Sequence, residues 1–292
     1  MKLFVIFSII ALTRAVEISV STLTQLKNAL TTVQPGDIIR MADGTYDGTI
    51  SITRSGTAAK PITLIGSKQA YIVSTGYGIH LKANYWILKG FSVKNCKKGI
   101  VTDSANFNVF DNLAIHHINE EAVHFRTASS DNTIKNSVIK YTGLTNPGVG
   151  EGVYIGSSLS HWVNGQPDLS HRNKVLNNRF GPNVSAEAID IKEGSESNLI
   201  QGNIFDGVGM SGANYADSWI DVKGAKNIIA NNTGTYSLLD GFQIHKVDGS
   251  VTNSACNNEF TNNVCSKLGS GGVCVNLYKI TCTNKNLNNK IV

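Results

Sequence analysis

The sequence predicts an all-β fold: a single right-handed parallel β-helix, or solenoid, with an N-terminal capping helix. Three observations carry that expectation. A short strand of alternating apolar residues recurs eight times, from Gly78-Ile79-His80-Leu81-Lys82 to Gly272-Val273-Cys274-Val275-Asn276. An Asn-rich turn leads into a second strand in a common register. The 292 residues also include 31 Asn and 28 Gly but only 16% charged residues. That composition suits many tight turns and disfavours disorder and helical bundles.

The elements follow in order. Met1 and Lys2 precede an apolar run from Leu3 to Leu12, with Ala15 as a small residue beyond it. This is the pattern of a secretory signal peptide over residues 1–15, too short to span a bilayer. The protein is therefore expected to be secreted, extracellular and free of a membrane anchor. Residues 16–36 read as the cap: Leu23, Leu26, Ala29, Leu30 and Val33 have helical spacing, and Pro35-Gly36-Asp37 ends it. Such a helix covers strands that would otherwise be open edges.

The coils then begin through Ile38-Ile39, Gly44-Thr45-Tyr46 and Pro61-Ile62-Thr63-Leu64-Ile65. The recurring strand continues as Gly99-Ile-Val-Thr-Asp103, Ala122-Val-His-Phe-Arg126, Gly152-Val-Tyr-Ile-Gly156, Ala188-Ile-Asp-Ile-Lys192, Trp219-Ile-Asp-Val-Lys223 and Gly241-Phe-Gln-Ile-His245. Strand periodicity places the apolar positions in the core. The second strand runs Asn108-Val-Phe-Asp-Asn112, Asn132-Thr-Ile-Lys-Asn136, Asn173-Lys-Val-Leu-Asn177 and so on to Asn258-Glu-Phe-Thr-Asn262. An Asn at one turn in every coil can hydrogen-bond its equivalent in the next, forming an internal ladder. Cys256, Cys265, Cys274 and Cys282 predict two disulfides over residues 256–292, with three pairings open, while Cys96 is expected to be a buried free thiol. Two sequons start at Asn183 and Asn231. Residues 16–292 thus form one domain, expected to act as a monomer.

Alternation aims two columns outward. One reads His80, Val101, His124, Tyr154, Asp190, Asp221, Gln243, Cys274; the other reads Lys82, Asp103, Arg126, Gly156, Lys192, Lys223, His245, Asn276. With coils about 4.8 Å apart, Arg126, Lys192, Lys223 and His245 fall on one basic, solvent-facing strip. The net charge of +5 favours a polyanionic partner but is too weak to indicate nucleic acid. Thr142 to Glu151, Ser157 to His171 and Gly207 to Asp217 are long insertions, which in repeat proteins sit on the binding face. They offer His161, Trp162, His171, Arg172, Met210, Asn214 and Tyr215 as cleft walls, with Trp162 and Tyr215 able to stack on sugar rings.

The Asn ladder, the cap and Glu187-Ala-Ile-Asp-Ile-Lys192-Glu-Gly-Ser-Glu-Ser-Asn198 resemble the β-helical polysaccharide lyases, especially the chondroitinase B and alginate lyase group. The segments Ala216-Asp217-Ser-Trp-Ile-Asp221-Val-Lys223 and Asp240-Gly-Phe-Gln243 also resemble the calcium-dependent pectate lyases of the wider pectate-lyase-like superfamily. That resemblance implies Glu187 as a calcium ligand and Lys192 as the catalytic base. The group's acid is an Arg one coil beyond the base; here Lys223 stands there, with His245 one coil further. Its second acidic calcium ligand is not matched, and Asp190 or Asp221 could supply it.

These residue types suit β-elimination of a uronic-acid polysaccharide. A base removes the C5 proton, an acid assists the leaving sugar, and calcium or basic side chains neutralise the carboxylate. The expectation is a lyase with Lys192, Lys223, His245 and Arg126 in catalysis, and His124, Tyr154, Trp162, Tyr215 and Gln243 on substrate. Glu187, Asp190 and Asp221 are the expected calcium ligands, and an acidic polysaccharide is the expected partner. Two alternatives remain: a glycoside hydrolase using Asp190, Asp221 and Asp240, and a non-catalytic carbohydrate-binding or wall protein.

Overall fold

The computed structural model describes residues 15–278 and 280–292; the expected signal peptide, apart from Ala15, lies outside them. Three parallel sheets, of 11, 9 and 10 strands, run the length of the molecule. Each coil contributes one strand to each sheet. Val109–Asp111, Ala114–Ile118 and Val123–Arg126 make one such coil, and Thr133–Lys135, Val138–Lys140 and Val153–Ile155 make the next. The pairings Val109↔Thr133, Ala114↔Val138 and Val123↔Val153 hold the two in register. The solenoid is therefore as expected, but with three strands per coil where the repeats had indicated two. The third strand is short and its outward residues vary, so its alternation is weak in the sequence.

The core is one continuous file of apolar side chains. Phe180 and Phe205 stack at 5.4 Å, Phe205 and Trp219 at 6.2 Å, and Phe242 meets Trp219 edge-on at 5.8 Å. All four are at most 1% exposed. Every coil buries its apolar face against its neighbours, so no coil is stable alone.

The turns explain the Asn excess. Asn108, Asn132, Asn173, Asn198, Asn227 and Asn258 form a ladder, each backbone N–H donating to the side-chain oxygen of the next Asn, ending on Asn284. A second ladder, not foreseen, starts with the Ser137 N–H donating to Asn178 and continues through Asn203, Asn232 and Asn263 to Asn289. Between the two lie Asn112, Asn136, Asn177, Asn231 and Asn262, with φ of 52 to 55°. That left-handed turn suits Asn better than most residues. The Asn-Asn pairs thus divide the work: the first residue bends the chain and the second bonds between coils.

Three details differ from expectation at the ends. The cap is a helix, Leu23–Thr32, preceded by a strand, Glu17–Val20, that pairs with Ile38–Met41. At the other end Asn276 pairs with Gln243, so the last repeat is shifted by two residues. Cys274 therefore leaves the outward column and bonds Cys265, while Cys256 bonds Cys282. An even shift keeps the faces, which is why alternation alone could not reveal it. Cys96 is buried and free. The sequon residue Asn231 is exposed and Asn183 half-buried.

Candidate active site

The outward face of the nine-stranded sheet lines a cleft of about 1390 Å³. The three insertions wall it: Asn146, Val149 and Glu151 from the first, Ser157, Ser158 and His161 from the second, and Asn214, Tyr215 and Asp217 from the third. Trp162 does not line it. Its indole N–H donates to the Ser157 carbonyl at 2.9 Å, making it an anchor for the loop. Met210 packs into the core, His171 accepts from the Glu196 N–H, and Arg172 pairs with Asp131, so these three also leave the cleft. Tyr215 stands at the rim, 90% exposed.

His124, Tyr154, Asp190, Asp221 and Gln243 form one column on the cleft floor, and Arg126, Lys192, Lys223 and His245 a second. The register read from the sequence holds here, but the expected exposure does not. Lys192 is buried rather than solvent-facing, and Asp190 is only 1% exposed. The walls and the paired side chains themselves exclude water.

A third column was not anticipated, although its member Glu187 was expected as a calcium ligand. Glu121, Glu151 and Glu187 each precede the small residue that opens the repeat, and backbone bonds from Ala122 to Glu151 and from Gly152 to Glu187 align them. The recurring Glu-(Ala/Gly)-(Val/Ile) was the available signal. Counting only from the first apolar position hid it.

The basic strip is closed by carboxylates. Lys192 Nζ lies 2.5 Å from Asp190, whose other oxygen takes Lys223 at 3.0 Å. Lys223 also meets Asp221 at 2.5 Å, and His245 Nδ1 meets Asp221 at 2.8 Å. Burial alone would lower the Lys223 pKa, but Asp190, Asp221 and Glu187 hold it well above the usual lysine value. Lys223 is thus a fixed cation and a poor proton donor. Burial opposes ionisation of Asp221, yet Lys223 and His245 bring its carboxyl below the usual range. His245 is raised because Asp221 outweighs its burial. At one end of the cleft Arg126 grips Asp103 through Nε and Nη2, at 2.7 and 3.3 Å.

Tyr154 joins the columns. Lys192 Nζ stands 4.7 Å from its ring centroid, and His124 packs edge-on at 4.5 Å. Burial, then Asp190 and Glu151, push the phenol far above its ordinary value, so it stays protonated. His124 Nε2 bonds the Gly156 carbonyl at 2.9 Å. Gly156 itself has φ +86°, and a Cβ there would stand 2.3 Å from Ser195 Oγ and 3.3 Å from Lys192 Cβ. A side chain is therefore excluded beside Lys192.

Glu151, Glu187 and Asp190 bring carboxylate oxygens within 4.8 Å of one another. Burial and then Asp190 push Glu187 up to about 7, and burial followed by Asp190, Glu187 and Glu121 raises Glu151 well above the carboxylate range. Glu151 Oε2 is buried without a hydrogen-bond partner. An all-oxygen, acidic and under-satisfied set fits a hard cation such as calcium. Asp221 lies outside this group and is held by Lys223 and His245; Asp190, although Lys192 and Lys223 contact its oxygens too, lies within it.

This geometry has relatives. Residues 14–142 match the family described as Pel9A-like, right handed beta helix region. The alginate lyase from Paenibacillus sp. str. FPU-7 is 35% identical, with a TM-score of 0.83 over 94% of this chain and 99% of that one. The chain belongs to the right-handed β-helix polysaccharide lyases. Pectate lyase Pel9A shares the lyase fold at 16% identity, with a TM-score of 0.71 over 95% of this chain and 78% of that one. Pectate lyase L of Dickeya chrysanthemi is 25% identical over 128 residues, which is 37% of this lyase-family chain but only 30% of that enzyme. The Pel9A-like match ends at residue 142, before Tyr154, Glu187 and Lys192.

Proposed function

We propose that the protein is a secreted lyase that cleaves a uronic-acid-containing polysaccharide by β-elimination, with Lys192 as the base. The observation that carries this reading is the placing of Lys192 beside the phenol of Tyr154 on the floor of a cleft that also holds Arg126 and His245. Lys192 takes the proton from C5, the Tyr154 phenol donates a hydrogen bond to the departing O4, and water entering the open cleft protonates that oxygen. To act as the free amine Lys192 has to leave Asp190, so substrate binding rearranges that contact. Arg126 and His245 attract the carboxylates of flanking sugars, while Lys223 stays bound to Asp190 and Asp221 as a local counter-charge. His124 and Gln243 hold the floor, and Tyr215 offers a ring at the rim.

Glu151, Glu187 and Asp190 would hold calcium, and such an ion supplies neutralisation of the substrate carboxylate. Secretion fits the two disulfides, and among the described residues no helix is long and apolar enough to cross a membrane. The 35% identity to an alginate lyase makes alginate the first polymer to test.

The test is the ultraviolet absorbance of unsaturated uronate ends released from alginate, pectate, glucuronan and chondroitin-type polymers, with and without chelator. Product should form on at least one polymer, and Lys192→Ala should lower turnover by at least about a hundredfold with the fold retained. Absence of product on all of them refutes the reading. Reducing ends without absorbance would point instead to hydrolysis.

A further inference from the structure

A second charged surface lies around the corner from the cleft, on the outer face of the ten-stranded sheet. Lys94, His116 and Lys140 share one register on three successive coils. Lys94 Nζ sits 3.5 Å above the Tyr71 ring, and Lys140 Nζ 5.4 Å from the Tyr141 ring. Asn95, His117 and Tyr141 follow the three at left-handed turn positions, with φ of 52, 57 and 54°. The His117 and Tyr141 rings lie 4.8 Å apart.

This column differs from the strip inside the cleft in one respect. Lys192 and Lys223 are closed by carboxylates, but neither Lys94 nor Lys140 pairs with one among the described residues. Burial holds His116 down at about 4, and the charges that add to this, His117, Lys94 and Lys140, are all basic. His116 is therefore neutral near pH 7 and can only hydrogen-bond, while Lys94 and Lys140, two coils apart, are like charges whose repulsion an anionic chain laid along them relieves. The same three coils build one end of the cleft: Lys98 follows Lys94 by four residues, and the later strands of the next two coils bring His124, Arg126 and Tyr154. A chain leaving the cleft at that end has exposed Lys82, which like Lys94 and Lys140 pairs with no carboxylate among the described residues, and then the two column lysines as cations to follow.

We propose that Lys94, His116 and Lys140, with Tyr141 and His117 beside them, form a second binding surface for the acidic polysaccharide, outside the cleft. The proposal rests on the substrate class proposed above. Two linked sites raise the local concentration of polymer at the cleft, an advantage that a substrate short enough to fill only the cleft does not share.

The experiment is affinity electrophoresis through gels containing alginate or pectate, together with kinetics on polymer and on short oligouronates. The double variant Lys94→Gln/Lys140→Gln should be retarded less than wild type by the polymer, each protein's mobility being taken relative to its own mobility in a gel containing a neutral glucan. Its KM on polymer should rise by roughly threefold to tenfold, with kcat/KM on oligouronates unchanged. Lys94→Arg/Lys140→Arg keeps the charge and should keep the retardation; loss in both variants alike overturns the proposal. Retardation of the Gln variant equal to wild type also overturns it. So does retardation by double-stranded DNA that matches that by polysaccharide and is lost with it. A wild type that is retarded yet releases no unsaturated product refutes the elimination reading and leaves the surface standing.

Discussion

Glu187 shows how one residue serves two ends. Its carboxyl is buried beside Asp190 and, through them, near Asp221, and is held at about 7 against the ordinary 4.5. The native state therefore holds this proton more tightly than the unfolded chain does. The stability that follows is fully present below pH 4.5 and is lost as pH rises towards 7. Glu187→Gln imitates the protonated acid at every pH. In chelator-treated protein the variant should melt with wild type near pH 4.5 and above it near pH 8, by a few degrees, on the order of 5 °C. Equal melting at both pH values would show that Glu187 is not under electrostatic strain. Calcium should then raise the wild-type melting temperature at the higher pH and leave the variant less changed, because an ion that binds only the native state stabilises it. At this scale the sequence revealed the Lys192, Asp190 and Asp221 positions through strict alternation. It concealed Glu151, whose partnership depends on the neighbouring coil 36 residues on. It also misplaced Trp162, because an insertion's path is set by contacts such as Glu193 with the Leu159 N–H rather than by periodicity.

The coil turn is the element that repeats most faithfully, and its Asn residues are not interchangeable. Asn203 accepts from both the backbone and the side chain of Asn178, at 2.9 and 3.1 Å, and donates to the Val175 carbonyl and to Asn232 at 2.8 and 3.0 Å. It is 1% exposed. Asn203→Leu strands the buried Asn178 N–H and the Val175 carbonyl, each at roughly 1 to 3 kcal/mol. Asn231, in the equivalent turn one coil on, is exposed and contributes a left-handed φ of 55°. Asn231→Gly keeps that conformation and should change stability by less than about 1 kcal/mol. Chemical denaturation of the two variants checks the division, and equal losses would contradict it. Both residues belong to the same Asn-rich turn of successive coils. What separates them is whether the side chain faces the next coil, a fact of three-dimensional stacking that composition does not carry.

At the scale of the molecule, stability is a sum over neighbouring coils, so the two ends decide whether the stack stays closed. The expected cap was legible because Leu26, Ala29 and Leu30 fall on one helical face, and the structure buries all three at 5% exposure or less. The strand Glu17–Val20 was not legible, since a four-residue edge strand has too few alternations to stand out. Likewise the shift in the final repeat depends on the Cys265–Cys274 bond rather than on pattern. At the far end two disulfides close loops of 26 and 9 residues and restrict the unfolded chain; among the described residues the N-terminal end is held by the packing of its helix and the pairing of the strand Glu17–Val20. Leu26→Asp together with Leu30→Asp puts two charges into that contact and should lift the helix off the first coils. The uncovered strands then become pairing edges for other molecules. The variant should therefore scatter light and form larger species in a concentration-dependent way, while monomer purified at low concentration keeps the cleft and its turnover. A variant that stays monomeric at all concentrations would show that the strand Glu17–Val20 alone protects the end. One that loses turnover as monomer would show that the cap and the cleft fold as a single cooperative unit, against the neighbour-by-neighbour stability expected of a solenoid.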